Sequence, residues 1–259
     1  MEKTQLLALH DQQQRIEIED RSMRREVTPE VIRHVSVNHG EGMVIHSRLN
    51  TENANRVIQE QIHYFRTIGQ DFEWKAYGHD TPSDLRSRLA AHGLVAEAPE
   101  ALLVLEIETA PACLLQPIAH DIRRITEPSR LAEIDRIQAA VWGESDPDYI
   151  AALQDDLSQD PGHVSIYIAY ADAIPVAYAR ITYHDHSQFA GLWGGSTLKE
   201  HRKRGFYTGL LAIRLQEARR RGVRFLTIDA SPMSRPIVEK HGFQFLTLTQ
   251  PYKGRLQPQ

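Results

Sequence analysis

The sequence predicts an α/β protein on a mixed (α+β) sheet, laid out as two similarly ordered halves. Three observations lead there. Apolar positions switch repeatedly between a two-residue period and a three- to four-residue period. The order helix, Gly69, strand, helix, His92-Gly93-Leu94, strand recurs around Gly222 and His241-Gly242-Phe243. A basic loop, Lys199 to Gly205, joins an apolar strand directly to a strongly amphipathic helix.

Thr4 to Ile18 reads as a helix with a mixed face. Val31 to Val35 and Met43 to Leu49 read as strands around a turn at His39-Gly40-Glu41-Gly42. Asn50-Thr51 suits a helix cap, and Ala54, Val57, Ile58, Ile62, Phe65 and Ile68 follow at helical spacing until Gly69. Phe72 to Tyr77 is a strand, Pro82 opens a helix that Gly93 ends, and Ala101 to Ile107 is a strand too apolar to face water. Thr109 to Pro117, with two prolines and no period, reads as a linker. It divides the chain into domains 1–115 and 116–259. In the second half Ile122 to Ile125 is a strand, helices run through Leu131 to Val141 and Tyr149 to Leu157, and strands run through Val164 to Tyr170, Val176 to Tyr183 and Gln188 to Thr197. Ala171-Asp172-Ala173 makes a hairpin turn. Phe206 to Arg221 carries a wide apolar face and should lie flat on a sheet. Val223 to Ile228, Ser234 to Lys240 and Phe243 to Leu248 complete the pattern as strand, helix and strand.

Composition narrows the function. The 259 residues carry 30 Lys and Arg against 34 Asp and Glu, a net charge of −4. That balance argues against nonspecific nucleic-acid binding as the main role. Cys113 is the one cysteine, so no intrachain disulfide forms, and a reducing, cytoplasmic compartment is expected. Leu6 to Leu9 is too short for a signal segment and Ala101 to Leu105 too short to span a bilayer, so no membrane partner is expected.

The chemistry concentrates in Ser196 to Thr208. The first amides of a helix have no intrahelical acceptor and carry the positive end of its dipole. A loop that turns straight into a helix therefore makes an anion site from backbone alone. Gly205 lets the chain approach an anion closely, and Arg202, Lys203 and Arg204 add charge suited to phosphate. A solvated basic loop is the alternative on charge alone.

Arg202-x-x-Gly205 resembles the phosphate-binding motif of the GNAT superfamily of acyl-CoA-dependent N-acetyltransferases, (Arg or Gln)-x-x-Gly-x-(Gly or Ala), with Tyr207 in place of the second small residue. Leu210-Leu211, Ala218, Gly222, a strand and then Ser234-x-Pro236-Ile237-x-x-x-His241-Gly242-Phe243 follow in the order of that family. The resemblance covers Ile122 to about Tyr252. It implies a tandem of a degenerate and a complete GNAT-like domain, because the first half's counterpart, Leu49 to Asn53, has no glycine and contains an acid. It further implies acetyl-CoA as co-substrate, its pantetheine arm paired with Gly195, Ser196 and Thr197 and its diphosphate on the amides of Lys203, Arg204, Gly205, Phe206, Tyr207 and Thr208. The reaction implied is direct attack by a small-molecule or protein amine.

The proton carriers are not legible. Val238 stands where many family members have a tyrosine, Ser231 where an asparagine is frequent, and Phe189 to Thr197 contains no glutamate. Ser234, Ser231 and Asp229 remain as candidates, though Ser234 also suits a helix cap and Asp229 a turn cap. Trp142, Glu144, Asp146 and Trp193 are candidates for the acceptor pocket. His184-x-His186 lacks an identifiable third ligand, so no metal is expected. His79-Asp80 reads either as a catalytic pair or, through Asp80 or Thr81, as a cap for the next helix. Cys113 has no cationic neighbour in sequence and is expected to be inert. The missing acid and base leave a second account open, a non-catalytic acyl-CoA-binding or partner-interaction module. A nucleotide-binding loop of the Gly-x-x-x-x-Gly-Lys type is absent. Acceptor, acyl length and oligomeric state are not fixed by the sequence.

Overall fold

The structure is a computed structural model that describes residues 1–37 and 40–255; His39 of the expected turn lies outside the described residues. Two units divide the chain. The first comprises Met1–Leu103, Asp229–Pro236 and Phe245–Gln259, the second Val104–Ile228 and Ile237–Gln244.

In chain order the first half forms α1 (Lys3–Asp11), a π turn at Gln12–Ile16, β1 (Met23–Val27), β2 (Val31–Ser36), β3 (Gly42–Ser47), α2 (Ala54–Thr67), β4 (Phe72–Tyr77), α3 (Leu85–Ala91), β5 (Val95–Ala96) and β6 (Glu100–Glu106). Strands β1 to β3 pair antiparallel, and β3 runs parallel to β4 over Gly42–Val44 and Phe72–Trp74. The apolar stripe of α2 lies on this sheet, burying Val57, Ile58 and Phe65 with Val44, Trp74 and Leu89. Gly42 is required there, because a Cβ would stand 2.3 Å from the Phe65 ring. Strand β1 escaped the sequence pattern because its MRREV side chains are all exposed or half-exposed.

The second half forms β7 (Asp121–Ile125), α4 (Leu131–Trp142), α5 (Pro147–Gln159), β8 (Val164–Ala171), β9 (Ile174–Tyr183), β10 (Phe189–Thr197), α6 (Phe206–Arg220), β11 (Phe225–Ala230), α7 (Arg235–Lys240) and β12 (Gln244–Gly254). Strands β7 to β10 pair antiparallel. Alternation along β8 assigns its two faces. Val164, Ile166 and Ile168 share a core with Ile134 and Ile137 of α4 and Leu153 of α5. Ser165 and Tyr167 point the other way and donate to Glu217 of α6 at 2.8 and 2.7 Å. Helix α6 buries Leu210, Leu211, Leu215 and Ala218 as its sequence demands, and also Arg214 and Glu217, which the apolar pattern did not announce. Asp172 and Ala173 adopt φ of 51° and 65°, the left-handed pair of a two-residue hairpin turn.

The division differs from a single cut at 115/116. The last strand, expected with the second half, pairs antiparallel with β4 from Thr249↔Tyr77 to Gly254↔Phe72 and so belongs to the first unit. Hydrophobic periodicity identifies a strand but not its partner. Thr109 to Pro117 falls in the second unit as short 3-10 turns with Leu114 buried. Among the described residues no helix is long and apolar enough to cross a membrane.

A buried ion pair ties α1 to the first sheet. Arg15, 1% exposed, donates from Nη2 to both Asp80 oxygens at 2.7 and 2.9 Å and from Nη1 to Asp11 at 3.0 Å. Asp80 also accepts from the Tyr77 amide, and Thr81 Oγ1 donates to Leu49 O, so neither caps α3, which starts at Leu85. Removing one partner of a buried pair leaves an uncompensated charge. Arg15→Ala is expected to lower the unfolding free energy by about 3–5 kcal/mol in urea titration; a loss below about 1 kcal/mol, the range of an exposed pair, would contradict this.

Candidate functional site

The site begins where β10 leaves β11. The two strands pair in parallel only from Phe189↔Phe225 to Gly191↔Thr227. Past that point β10 has an irregularity between Trp193 and Ser196, and Gly194 takes φ +66°. A bulge of this kind re-aims a strand and ends its pairing. The chain then passes through Lys203 at φ +61° and Gly205 at φ +87° into α6. Left-handed residues at a helix start turn successive N–H groups to one side, a concavity that suits an anion. Among the described residues the amides of Lys203 to Thr208 donate to no protein acceptor, and α6 has no side-chain cap.

Side chains brace this loop. Arg202 Nε donates to Thr197 O at 3.1 Å, and Arg204 Nη1 donates to His201 Nδ1 at 3.0 Å. His120 Nε2 donates to Arg204 O at 2.9 Å, and its ring lies 3.0 Å from where a Gly205 Cβ would stand. Glycine is thus fixed here by backbone conformation and by His120. Tyr207 turns its ring inward against Gly195, and burial raises its pKa.

The second unit brings together most of the residues expected from sequence. Gly195 touches Tyr207, Thr197 holds Arg202, and Trp142 Nε1 donates to Ser196 Oγ at 3.2 Å. Trp193 Nε1 donates to Thr182 Oγ1 at 2.9 Å. Asp146 caps α5 by accepting from the Tyr149 amide, whereas Glu144 is exposed. The sequence reading missed Tyr149, Tyr178 and Arg180. Tyr178 is 1% exposed, and burial followed by the Tyr149 hydroxyl raises its pKa. A polar residue inside an apolar strand was the only available signal. Among the described residues no group of three or more His, Cys, Asp or Glu could hold a metal ion.

The corresponding stretch of the first unit is closed by its own atoms. The Asn50 side chain accepts from the amides of Glu52 and Asn53, Asn53 Oδ1 accepts from the Asn50 amide, and Asn50 O accepts from Ala54. The β3–β4 ladder stops at Val44↔Trp74, and Arg15 Nε donates to the next carbonyl, Ile45 O, at 3.1 Å.

Ser231, Ser234 and Asp229 belong to the first unit. The two serine hydroxyls lie 3.2 Å apart, and Ser231 Oγ also accepts from the Ser234 amide. Asp229 accepts from Lys75 Nζ at 2.5 Å and Thr249 Oγ1 at 3.0 Å. That carboxylate is held in an ion pair. Burial, the largest single influence, would depress the Lys75 pKa, but the charge and hydrogen bond of Asp229 together with smaller contributions raise it. Glu100 faces the same cluster. Burial, then the charge of Asp229, pushes its pKa up to about 7 from an ordinary 4.5. Between these values the unfolded chain releases the proton that the folded chain keeps, so this residue's contribution falls as pH rises from about 4.5 to 7. Glu100→Gln is expected to stabilise the protein more at pH 8 than at pH 5, read from urea midpoints; an equal effect at both would contradict the raised pKa.

The comparisons agree with this geometry. Residues 126–243 match the model of the Acetyltransferase (GNAT) family. That stretch is similar to a GNAT acetyltransferase domain. Among curated proteins none matches the sequence. A GCN5-related N-acetyltransferase from Kribbella flavida superposes with a TM-score of 0.67 at 16% identity, covering 95% of this chain and 94% of that one. One from Sphaerobacter thermophilus gives 0.60 at 13% identity over 90% and 82%. A tandem GNAT protein from the clavulanic acid biosynthesis pathway gives 0.59 at 12% identity over 94% and 87%. The tandem GNAT fold therefore extends over nearly the whole chain. The match over residues 126–243 supports acetyl-CoA as the co-substrate.

Proposed function

We propose that the GNAT domain transfers an acetyl group from acetyl-CoA to a primary amine by direct attack in a ternary complex. The observation that carries this reading is the row of free amides from Lys203 to Thr208 beside the point where β10 leaves β11. Those amides suit the diphosphate, and Gly195, Ser196 and Thr197 lie beyond the end of the ladder where an extended arm can pair. Both reactants held in one site need no enzyme-bound acyl intermediate. The amine nitrogen bonds to the acyl carbon as the carbon–sulfur bond breaks. The nitrogen loses a proton and the departing thiolate gains one. A backbone N–H of β10 near Gly194 is suited to hold the developing oxyanion.

The second account, an acyl-CoA-binding module without turnover, is favoured by one feature. Val238, apolar and fully buried, stands where the family resemblance expects an acid. Release of free thiol in the presence of amines separates the two.

A ligand present at 100 times its dissociation constant stabilises by about 2.7 kcal/mol. Acetyl-CoA at saturation is therefore expected to raise the melting temperature. In Gly205→Glu, a side chain forced into left-handed backbone and against His120 should displace the loop and abolish that rise. Circular dichroism of the variant checks that it folds. No rise in the wild-type protein would contradict the proposal.

A further inference from the structure

The sheet face beside β10 carries a cation that the protein itself does not neutralise. Arg180 stands in β9 directly across from Trp193 of β10 in the antiparallel register. Its guanidinium lies 5.6 Å from the ring centroids of both Tyr149 and Trp193. Among the described residues it makes no ion pair and no side-chain hydrogen bond, and its buried Nε has no partner. Other arginines differ: Arg15, Arg33 and Arg221 each hold a carboxylate.

A guanidinium flanked by aromatic planes is held in orientation and offers its edge to a planar, two-oxygen acceptor. Leaving such donors without acceptors is costly, so the site is built for a group that arrives with the ligand. Its place matters as well. Trp193 is the residue at which β10 begins its irregular stretch, three positions before Ser196, which holds Trp142. The unpaired cation thus borders the strand segment assigned to the reacting end of acetyl-CoA. A polycationic acceptor would be repelled there, whereas a carboxylate would be drawn in.

We propose that Arg180, flanked by Tyr149 and Trp193, binds a carboxylate of the acceptor, so that the substrate is an amine that also carries a carboxylate, of amino-acid or peptide type. This rests on the acetyl-transfer reading of the same strand. Arg180 is a specificity-determining residue in this account, and its partner is the non-reacting end of the substrate.

The test measures thiol release with acetyl-CoA and a panel of α-, β- and γ-amino acids and dipeptides, their carboxamides, and diamines. Wild type, Arg180→Gln and Arg180→Lys are compared, with acetyl-CoA melts run on the same samples. Free acids are expected to exceed their carboxamides by about 10- to 100-fold in kcat/KM. Arg180→Gln should bring the two toward parity, chiefly through KM, and Arg180→Lys should restore part of the difference. A uniform loss that leaves the acid-to-amide ratio unchanged would make Arg180 merely structural and overturn the proposal. Turnover of diamines alone, or of no carboxylate in the panel while acetyl-CoA still raises the melting temperature, would also overturn it and leave acetyl-CoA binding standing. A missing melt shift would remove the transferase reading itself, and this proposal with it.

Discussion

A folded chain seldom leaves backbone donors without acceptors. The turn from β10 into α6 does so over Lys203 to Thr208, and the features around it depend on that arrangement. Two left-handed residues aim the amides, Arg202 and His120 fix the loop from either end, and Tyr207 fills the space that Gly195 leaves. None of these side chains takes the amides for itself. An anion is the natural complement, because the helix dipole and the free donors act in the same direction.

The first unit serves as an internal control. It repeats the three-residue parallel ladder between β3 and β4, followed by a loop and an amphipathic helix. Two asparagines satisfy its loop amides, and a buried arginine takes the first carbonyl beyond the ladder. The same backbone plan thus has two outcomes. Side-chain acceptors supplied in sequence close the first, and their absence keeps the second open. Burial of Arg15 with Asp80 makes that closure part of the first unit's stability.

Much of this was legible in the sequence. Apolar periodicity located α2, α4 and α6 because each buries one stripe on a sheet. The basic loop and Gly205 located the row of free amides because their geometry is local. What escaped was long-range. No local signal says that Thr249 pairs with Tyr77, that Asp229 holds Lys75, or that Arg214 and Glu217 lie buried in α6. Strand β1 escaped because an exposed edge strand has no apolar alternation to read. Arg180 escaped because a lone arginine in a strand gains meaning only once its neighbours are known to lack an acid.

The central claim is that the amides preceding α6 receive the diphosphate of acetyl-CoA. Residue-resolved amide hydrogen exchange with and without acetyl-CoA tests it most directly. Slower exchange at Lys203 to Thr208 on addition of acetyl-CoA is the expected result. Unchanged exchange there, with protection gained at some other segment, would contradict it.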